Sequence, residues 1–443
     1  MQQKVLFKNF KAIIHGCVIN HADVLVEDSK IVAIGTGFTI GDEDLFIIDG
    51  GGELYLSAGF IDIHVHGGGG FDFMDADVDE YVAIAKHHAK YGTTAFYPTT
   101  LTATHEELLA SVQAFADAKN IPGGAKMLGM HMEGPYIAKS QKGAMDENYI
   151  RDPIPEEYEQ LCDIAGDIKR ITAAPELPGA AELGKYLNSR DILPSIGHTD
   201  AVCADVIQAF NEGGFRLMTH LYSAMSMTRR INAYRFAGVV EAAYLLDDMY
   251  VEIIADGIHL PKELLQLIYK IKGSDRIAII TDAMRASGME GGTAMLGSRK
   301  NGFEVLIEDG VAKLMDRTAF AGSIATADRL IRTMMNLAEI PLTEAVKMIT
   351  ETPAKIMDIY DERGSLESGK FADIAVFDEN INVKLTMVEG EIVHNILWEE
   401  KPPRELYKTS CAMCGAEARV PFDPAVDTRP VYCAECFEKI RNQ

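Results

Sequence analysis

The sequence predicts an α/β protein: a (β/α)₈ barrel with a small β-sandwich domain built from both flanks, plus a C-terminal zinc ribbon. Three observations carry this reading. Between residues 55 and 353, short apolar runs ending in polar residues alternate with helical patterns. Residues 1–54 and 354–400 hold short alternating strands, which need a partner sheet because a few strands alone are only marginally stable. Residues 408–443 hold two Cys-x-x-Cys pairs, whereas Cys17, Cys162 and Cys203 are scattered.

Taken in order, VLFKNFKAII, DVLVED and KIVAIG read as strands punctuated by Gly and Asp. Their expected partners lie far downstream in GKFADIAVFDE and INVKLTMVEGEIVHN, so the chain ends should share one small β-domain around the middle. The barrel strands are expected in GFIDIHVHG, TAFYPTT, KMLGMHMEG, IKRITAAPE, LPSIGHTDA, RLMTHLYS, YVEIIADGIH and RIAIITDA. Helices are expected between them, as in DEYVAIAKHHAKYG and THEELLASVQAFADAKN. The second opens with a capping box, Thr104 followed by Glu107. In a barrel of this kind, reactive groups gather at the C-terminal ends of the strands, and here each polar motif falls at the end of its run.

Composition narrows the function. With 443 residues, 47% of them apolar and 24% charged, the chain can bury one large core. No stretch approaches the ~18 uninterrupted apolar residues of a membrane span. The opening MQQKVLFKNFKAIIHG breaks its apolar run with Lys and Asn, unlike a secretory signal, so a cytoplasmic protein without a disulfide framework is expected. A formal charge of −24 repels nucleic acid and anionic membranes as partners. A small phosphorylated substrate needs only a local cluster of donors and stays compatible.

His64 and His66 are two apart on an expected strand, so both rings share a face and can hold one ion. A lone His-x-His is a weak signal, since histidines are often merely exposed or hydrogen-bonded. The wider set is stronger. Glu133 closes the third run, His198 the fifth, His220 the sixth and Asp282 the eighth. Each has a bland reading as a loop residue or helix cap. Imidazole or carboxylate at the same rim of five strands out of eight is hard to explain by packing, and divalent ions such as zinc favour mixed N and O ligands.

The motifs SAGFIDIHVHG, HMEGPY, AAPE, GHTDA, THLYSAM, ADGIH, TDA and FAGS, in this order, resemble the N-acetylglucosamine-6-phosphate deacetylase family of the amidohydrolase superfamily. The resemblance spans roughly residues 1–400. It implies an amidohydrolase-type barrel that removes an acetyl group from an amino sugar phosphate in a homodimer. It also implies one ion on His64, His66, Glu133 and Asp282, and a second on Glu133, His198 and His220, with Glu133 bridging. The ions would be zinc, with iron, manganese or cobalt as alternatives, and one or two would be bound. Members lacking the His-x-His pair work with one metal; this chain keeps both histidines. Many superfamily members bridge through a carboxylated lysine on the fourth strand, but Lys169 stands at the wrong end of that run. Asp282 would shuttle the proton from water to the departing amine, which leaves poorly unless protonated. His259 matches a substrate-contacting position, and His131 reads as a support for the ligands. The other histidines (His15, His21, His87, His88, His105, His394) read as structural.

Three positions depart from the family pattern. Ser223 stands where the family has Asn on the sugar phosphate, with the Ala224 backbone as a further donor. The phosphate-gripping arginine, given by the neighbouring subunit in the family, falls in MTRRINAYRF, with Arg230 favoured over Arg229 and Arg235. A histidine that orients the acetyl carbonyl is replaced by Met145. These changes leave N-acetylgalactosamine 6-phosphate or an N-acyl amino acid as alternative substrates. A non-catalytic metal-holding scaffold is the contrasting class, but a scaffold has no use for a proton shuttle.

Cys411, Cys414, Cys433 and Cys436 are spaced as a four-thiolate structural zinc site, which leaves no position for a catalytic water. Basic and acidic residues balance across 408–443, so nothing there marks a nucleic-acid footprint. The linker WEEKPPREL, with Pro402 and Pro403, suits a hinge.

Overall fold

Eight parallel strands follow one another around a common axis in chain order: Phe60–Val65, Thr93–Thr100, Met130–Glu133, Ile168–Ala173, Leu193–Ile196, Leu217–Met218, Tyr250–Ile254 and Ile277–Ile280. The last returns to the first where Asp282 N donates to His64 O (3.0 Å) and Val65 bridges Ala283 in parallel. All eight expected strands are present in this computed structural model, which describes residues 4–40, 45–165, 167–397, 407–420, 430–431 and 436. Nearly every strand residue is buried, because helices cover the outside and side chains fill the inside. This is why the runs read as continuous apolar segments rather than alternating ones.

A helix follows each strand: Val78–Ala89, His105–Ala118, Pro155–Ala165, Ala180–Ser189, Cys203–Glu212, Val239–Leu245, Lys262–Lys272 and Ala327–Asn336. The first buries Tyr81, Ile84, Ala85, His88 and Ala89, a stripe at helical spacing. Asp77 starts it by accepting from Asp79 N and Glu80 N. The second forms the expected capping box: Glu107 N donates to Thr104 Oγ1 (3.2 Å) and Thr104 N to Glu107 Oε2 (3.1 Å).

The chain ends share a sheet. Its order is Glu391–Asn395, Val383–Val388, Ile374–Phe377, Tyr55–Ala58, Lys4–Ile14, Cys17–Glu27 and Lys30–Thr36, with Leu45–Asp49 pairing in parallel with Lys4–Ile14. The seam is the antiparallel pair Tyr55–Ala58 and Ile374–Phe377, directly beside the first barrel strand.

Two insertions escaped the reading of the sequence. A hairpin, Arg229–Ile231 with Tyr234–Phe236, interrupts the sixth strand-to-helix connection. A three-stranded antiparallel sheet, Gly292–Leu296, Phe303–Glu308 and Val311–Leu314, precedes the last barrel helix. Both belong to loops on the side of the barrel where sites are built.

Residues 395–443 cluster as a separate compact unit from residues 1–394. Within it, Tyr407–Ser410 pairs with Glu417–Val420, and the turn between them carries Cys411 and Cys414. Gly415 takes φ +73° there and donates to Cys411 O (2.9 Å). Cys433, Pro402 and Pro403 lie outside the described residues.

Candidate functional site

The rim residues converge because the backbone turns sharply once each strand ends. His198, His220 and Asp282 each sit two residues past their strand with positive φ (48°, 31° and 46°). This left-handed conformation costs a non-glycine residue roughly 1–3 kcal/mol and tends to persist at functional sites. It aims three side chains at the point that His64 and Glu133 reach from within their strands and His66 from just past its own.

Glu133 is the centre. Its Oε1 lies 2.8 Å from His220 Nε2, 3.2 Å from His198 Nε2 and 3.6 Å from His64 Nε2, and its Oε2 lies 3.3 Å from His66 Nε2. Asp282 Oδ1 approaches His66 Nε2 at 3.1 Å and His64 Nε2 at 3.5 Å. Two ligand groups emerge, His64–His66–Glu133 and Glu133–His198–His220, with the donor atoms of each within 4.8 Å of one another. Glu133 belongs to both.

The outward-facing ring nitrogens show which way the rings are set. His64 Nδ1 meets Glu252 Oε2 (3.3 Å), His66 Nδ1 meets Thr99 O (3.2 Å) and His198 Nδ1 meets Gln141 O (2.8 Å). Carboxylate and carbonyl oxygens only accept, so these Nδ1 atoms carry the protons and the Nε2 lone pairs face inward. Three imidazole lone pairs set in this way and two carboxylates, with His220 Nε2 beside them, point at one another and favour a cation among them. The electrostatics agree. Burial alone would lower the histidine values, but Glu133 and Asp282 raise His64 to about 9 and His66 to about 10. A centre that holds protons this tightly favours positive charge, and its N and O donors fit divalent ions.

His131 is not among the inward-pointing rings. Its Nδ1 meets Thr99 Oγ1 (3.2 Å) and its Nε2 meets Thr172 Oγ1 (2.7 Å), with the ring edge-on against His64. His21 lies on the flanking sheet and His15 in the turn between two of its strands, His87 and His88 on the first barrel helix, and His105 starts the second.

Above the rim opens a cavity of about 530 Å³ whose lining includes His66, Glu133, His198, His220 and Asp282. Ser223, Ala224 and His259 line it as well, as does Met145. His259 is set by Asp256, whose Oδ2 lies 2.8 Å from its Nδ1, so its Nε2 is left for other partners. Phe320, from the turn after the three-stranded sheet, packs against His259 with ring centroids 4.7 Å apart. Arg230 is exposed on the inserted hairpin and does not line this cavity, and Arg235 is also exposed. Arg229 is engaged instead with Asp200 Oδ1 (2.8 Å), tying the hairpin to the loop after His198.

The sequence reading missed Asp256, Glu252 and Arg170. A signal for each was available. Asp256 stands three residues before His259, and Glu252 and Arg170 are opposite charges inside apolar strand runs.

In the separate tail unit, the sulfurs of Cys411, Cys414 and Cys436 lie within 4.8 Å of one another. Such a thiolate group fits zinc.

Comparison with known proteins agrees with this geometry. The model of the amidohydrolase family matches residues 55–393, and that of a probable treble clef zinc finger matches residues 404–441. N-acetylglucosamine-6-phosphate deacetylase of Bacillus subtilis (strain 168) is 33% identical over 400 residues, 88% of this chain and 98% of that one. N-acetylgalactosamine-6-phosphate deacetylase of Escherichia coli O157:H7 is 32% identical over 76% of this chain and 87% of its own. The crystal structure of N-acetylglucosamine-6-phosphate deacetylase from Pasteurella multocida matches with a TM-score of 0.80 at 32% identity, covering 88% of this chain and 100% of that one. The chain therefore belongs to the amidohydrolase family and, within it, to the N-acetylglucosamine-6-phosphate deacetylase family.

Proposed function

We propose that the chain hydrolyses the acetamide of N-acetylglucosamine 6-phosphate, giving glucosamine 6-phosphate and acetate. The observation that carries this reading is the convergence of four inward-facing imidazoles on Glu133 and Asp282 at the floor of an open cavity. His64, His66, Glu133 and Asp282 would hold one divalent ion and Glu133, His198 and His220 the second, with zinc as the first choice. Bound ions would acidify a water towards neutral pH and polarise the acyl oxygen.

The chain's own residues supply the rest. Asp282, about 7% exposed on the cavity floor, takes the proton of the attacking water and returns it to the amine as the C–N bond breaks. Ser223 Oγ, the Ala224 N–H and His259 Nε2 orient the sugar phosphate from the cavity wall. Arg230, exposed on its hairpin, serves the cavity of a second copy in a homodimer. The enzyme works in the cytoplasm; no helix among the described residues is long and apolar enough to cross a membrane. Cys411, Cys414, Cys433 and Cys436 hold a structural zinc.

The test is hydrolysis by the metal-loaded chain of N-acetylglucosamine 6-phosphate, the unphosphorylated sugar and N-acetylgalactosamine 6-phosphate. A clear preference for the first is expected. Equal rates with and without the phosphate overturn the substrate assignment. A preference for the galactosamine isomer favours the second reading, which the Escherichia coli relative supports at nearly the same identity.

A further inference from the structure

The barrel interior beneath the rim holds a charged pair that the chemistry described so far does not use. Arg170 and Glu252, on the fourth and seventh barrel strands, are both fully buried. The guanidinium grips both carboxylate oxygens, with Nη2 2.9 Å from Oε2 and Nη1 on Oε1. Its other hydrogen bonds go to Ser195 Oγ (2.9 Å), Ile63 O (3.1 Å) and Thr219 Oγ1 (2.8 Å), so it cannot turn away. A buried ion pair seldom stabilises a fold more than apolar residues of the same volume. Its position here points to another use. Glu252 Oε2 also accepts from His64 Nδ1 (3.3 Å) and from the backbone N–H of His220 (3.3 Å). One carboxylate thus touches a member of each ligand group.

We infer that Glu252, braced by Arg170, is a positioning residue for the rim: it fixes His64 with its proton on Nδ1 and sets the His64 half of the centre apart from the His198–His220 half. The asymmetry follows from the contacts. Glu252 binds the His64 side chain and thereby sets its tautomer and angle. At His220 it binds only the backbone, and the His220 and His198 rings stay aimed by Glu133. Losing Glu252 should therefore weaken one ion far more than the other.

The inference rests on the two-ion reading above, and one experiment separates them. Zinc is titrated into the metal-free full chain against a competing chelator, and the melting temperature of the metal-free chain is recorded beside it. Arg170→Met/Glu252→Met replaces the pair with apolar side chains and removes the acceptor for His64. Glu252→Gln keeps an acceptor oxygen and serves as the conservative rescue. Wild type should take up two ions in the barrel besides the tail ion. The double variant should lose about 10- to 100-fold in affinity for one barrel ion while holding the other nearly unchanged, and Glu252→Gln should fall between. Equal weakening of both barrel ions, or weakening that follows the melting temperature, shows a merely structural pair and overturns the inference. Unchanged affinities overturn it too. A wild-type barrel that binds fewer than two ions refutes the two-ion reading itself, whatever the variants do.

Discussion

The barrel rim and the tail hairpin both gather metal-competent side chains, and they do so in opposite ways. The rim draws its candidate ligands from five strands, between His64 and Asp282, and fixes three of its four imidazoles from outside, His64 on Glu252, His66 on Thr99 and His198 on Gln141. The tail draws Cys411 and Cys414 from the turn of one hairpin and Cys436 from further along the same unit. The rim opens on a cavity and mixes imidazole with carboxylate, which leaves room for water and substrate. A four-thiolate site is closed and suits stability alone. A centre built for chemistry needs a rigid fold to assemble it, whereas one built for structure can help to make its own fold.

Glu133→Gln breaks the comparison at its strongest point, because both ligand groups of the rim share that carboxylate. Both barrel ions should be lost and kcat should fall by about 10³-fold or more, with the tail zinc retained. Metal analysis beside the deacetylation assay measures both; a variant that keeps its barrel ions shows that Glu133 does not bridge. Asp282→Asn should cost less, roughly 10²- to 10⁴-fold in kcat, since the amide cannot take up and return a proton. Persistent activity there would rule out the shuttle. Cys414→Ser probes the other side: the chain should lose one zinc and melt the tail while the rate of deacetylation stays as in wild type. A matching loss of activity would show that the two centres are not independent.

The comparison also explains what could be read from the sequence. Period and order were enough for the barrel, since each apolar run ends in its polar motif and all eight runs form strands. The convergence of His64, His66, Glu133, His198, His220 and Asp282 was legible because strand ends meet at one rim whatever the loops do. In the tail, the spacing was enough to bring Cys411, Cys414 and Cys436 into one expected group. What could not be read depends on three-dimensional pairing. Nothing in IKRITAAPE or YVEIIADGIH says that Arg170 and Glu252 meet across the barrel. The left-handed turns at His198, His220 and Asp282 leave no mark either, because none is a glycine. The hairpin at Arg229–Phe236 and the sheet at Gly292–Leu314 hid in segments that read as loops, so Arg229 was available as a phosphate contact until its pairing with Asp200 appeared.

A buried charge whose hydrogen bonds all go to backbone carbonyls gives the smallest test. At the rim, positive and negative groups face one another; Lys272, at the end of the seventh barrel helix, gives its hydrogen bonds to backbone carbonyls, with Asp247 and Asp248 acting only through space. Its Nζ donates to Ala243 O (3.1 Å), Leu246 O (2.9 Å) and Asp247 O (3.4 Å), the carbonyls that end the helix Val239–Leu245. Burial pushes it down to about 8, although Asp247 pulls the other way. A folded value below the unfolded one of about 10.4 means that between these limits the unfolded chain binds more protons. The stability contributed through Lys272 should therefore be flat below pH 8, rise between about pH 8 and 10, and level off above. Lys272→Met has no such proton to lose, so the stability difference between wild type and variant, from denaturant unfolding at a series of pH values, should grow in favour of wild type across that window. A difference that stays constant with pH would mean that the carbonyls and nearby acids hold the ammonium as well as water does.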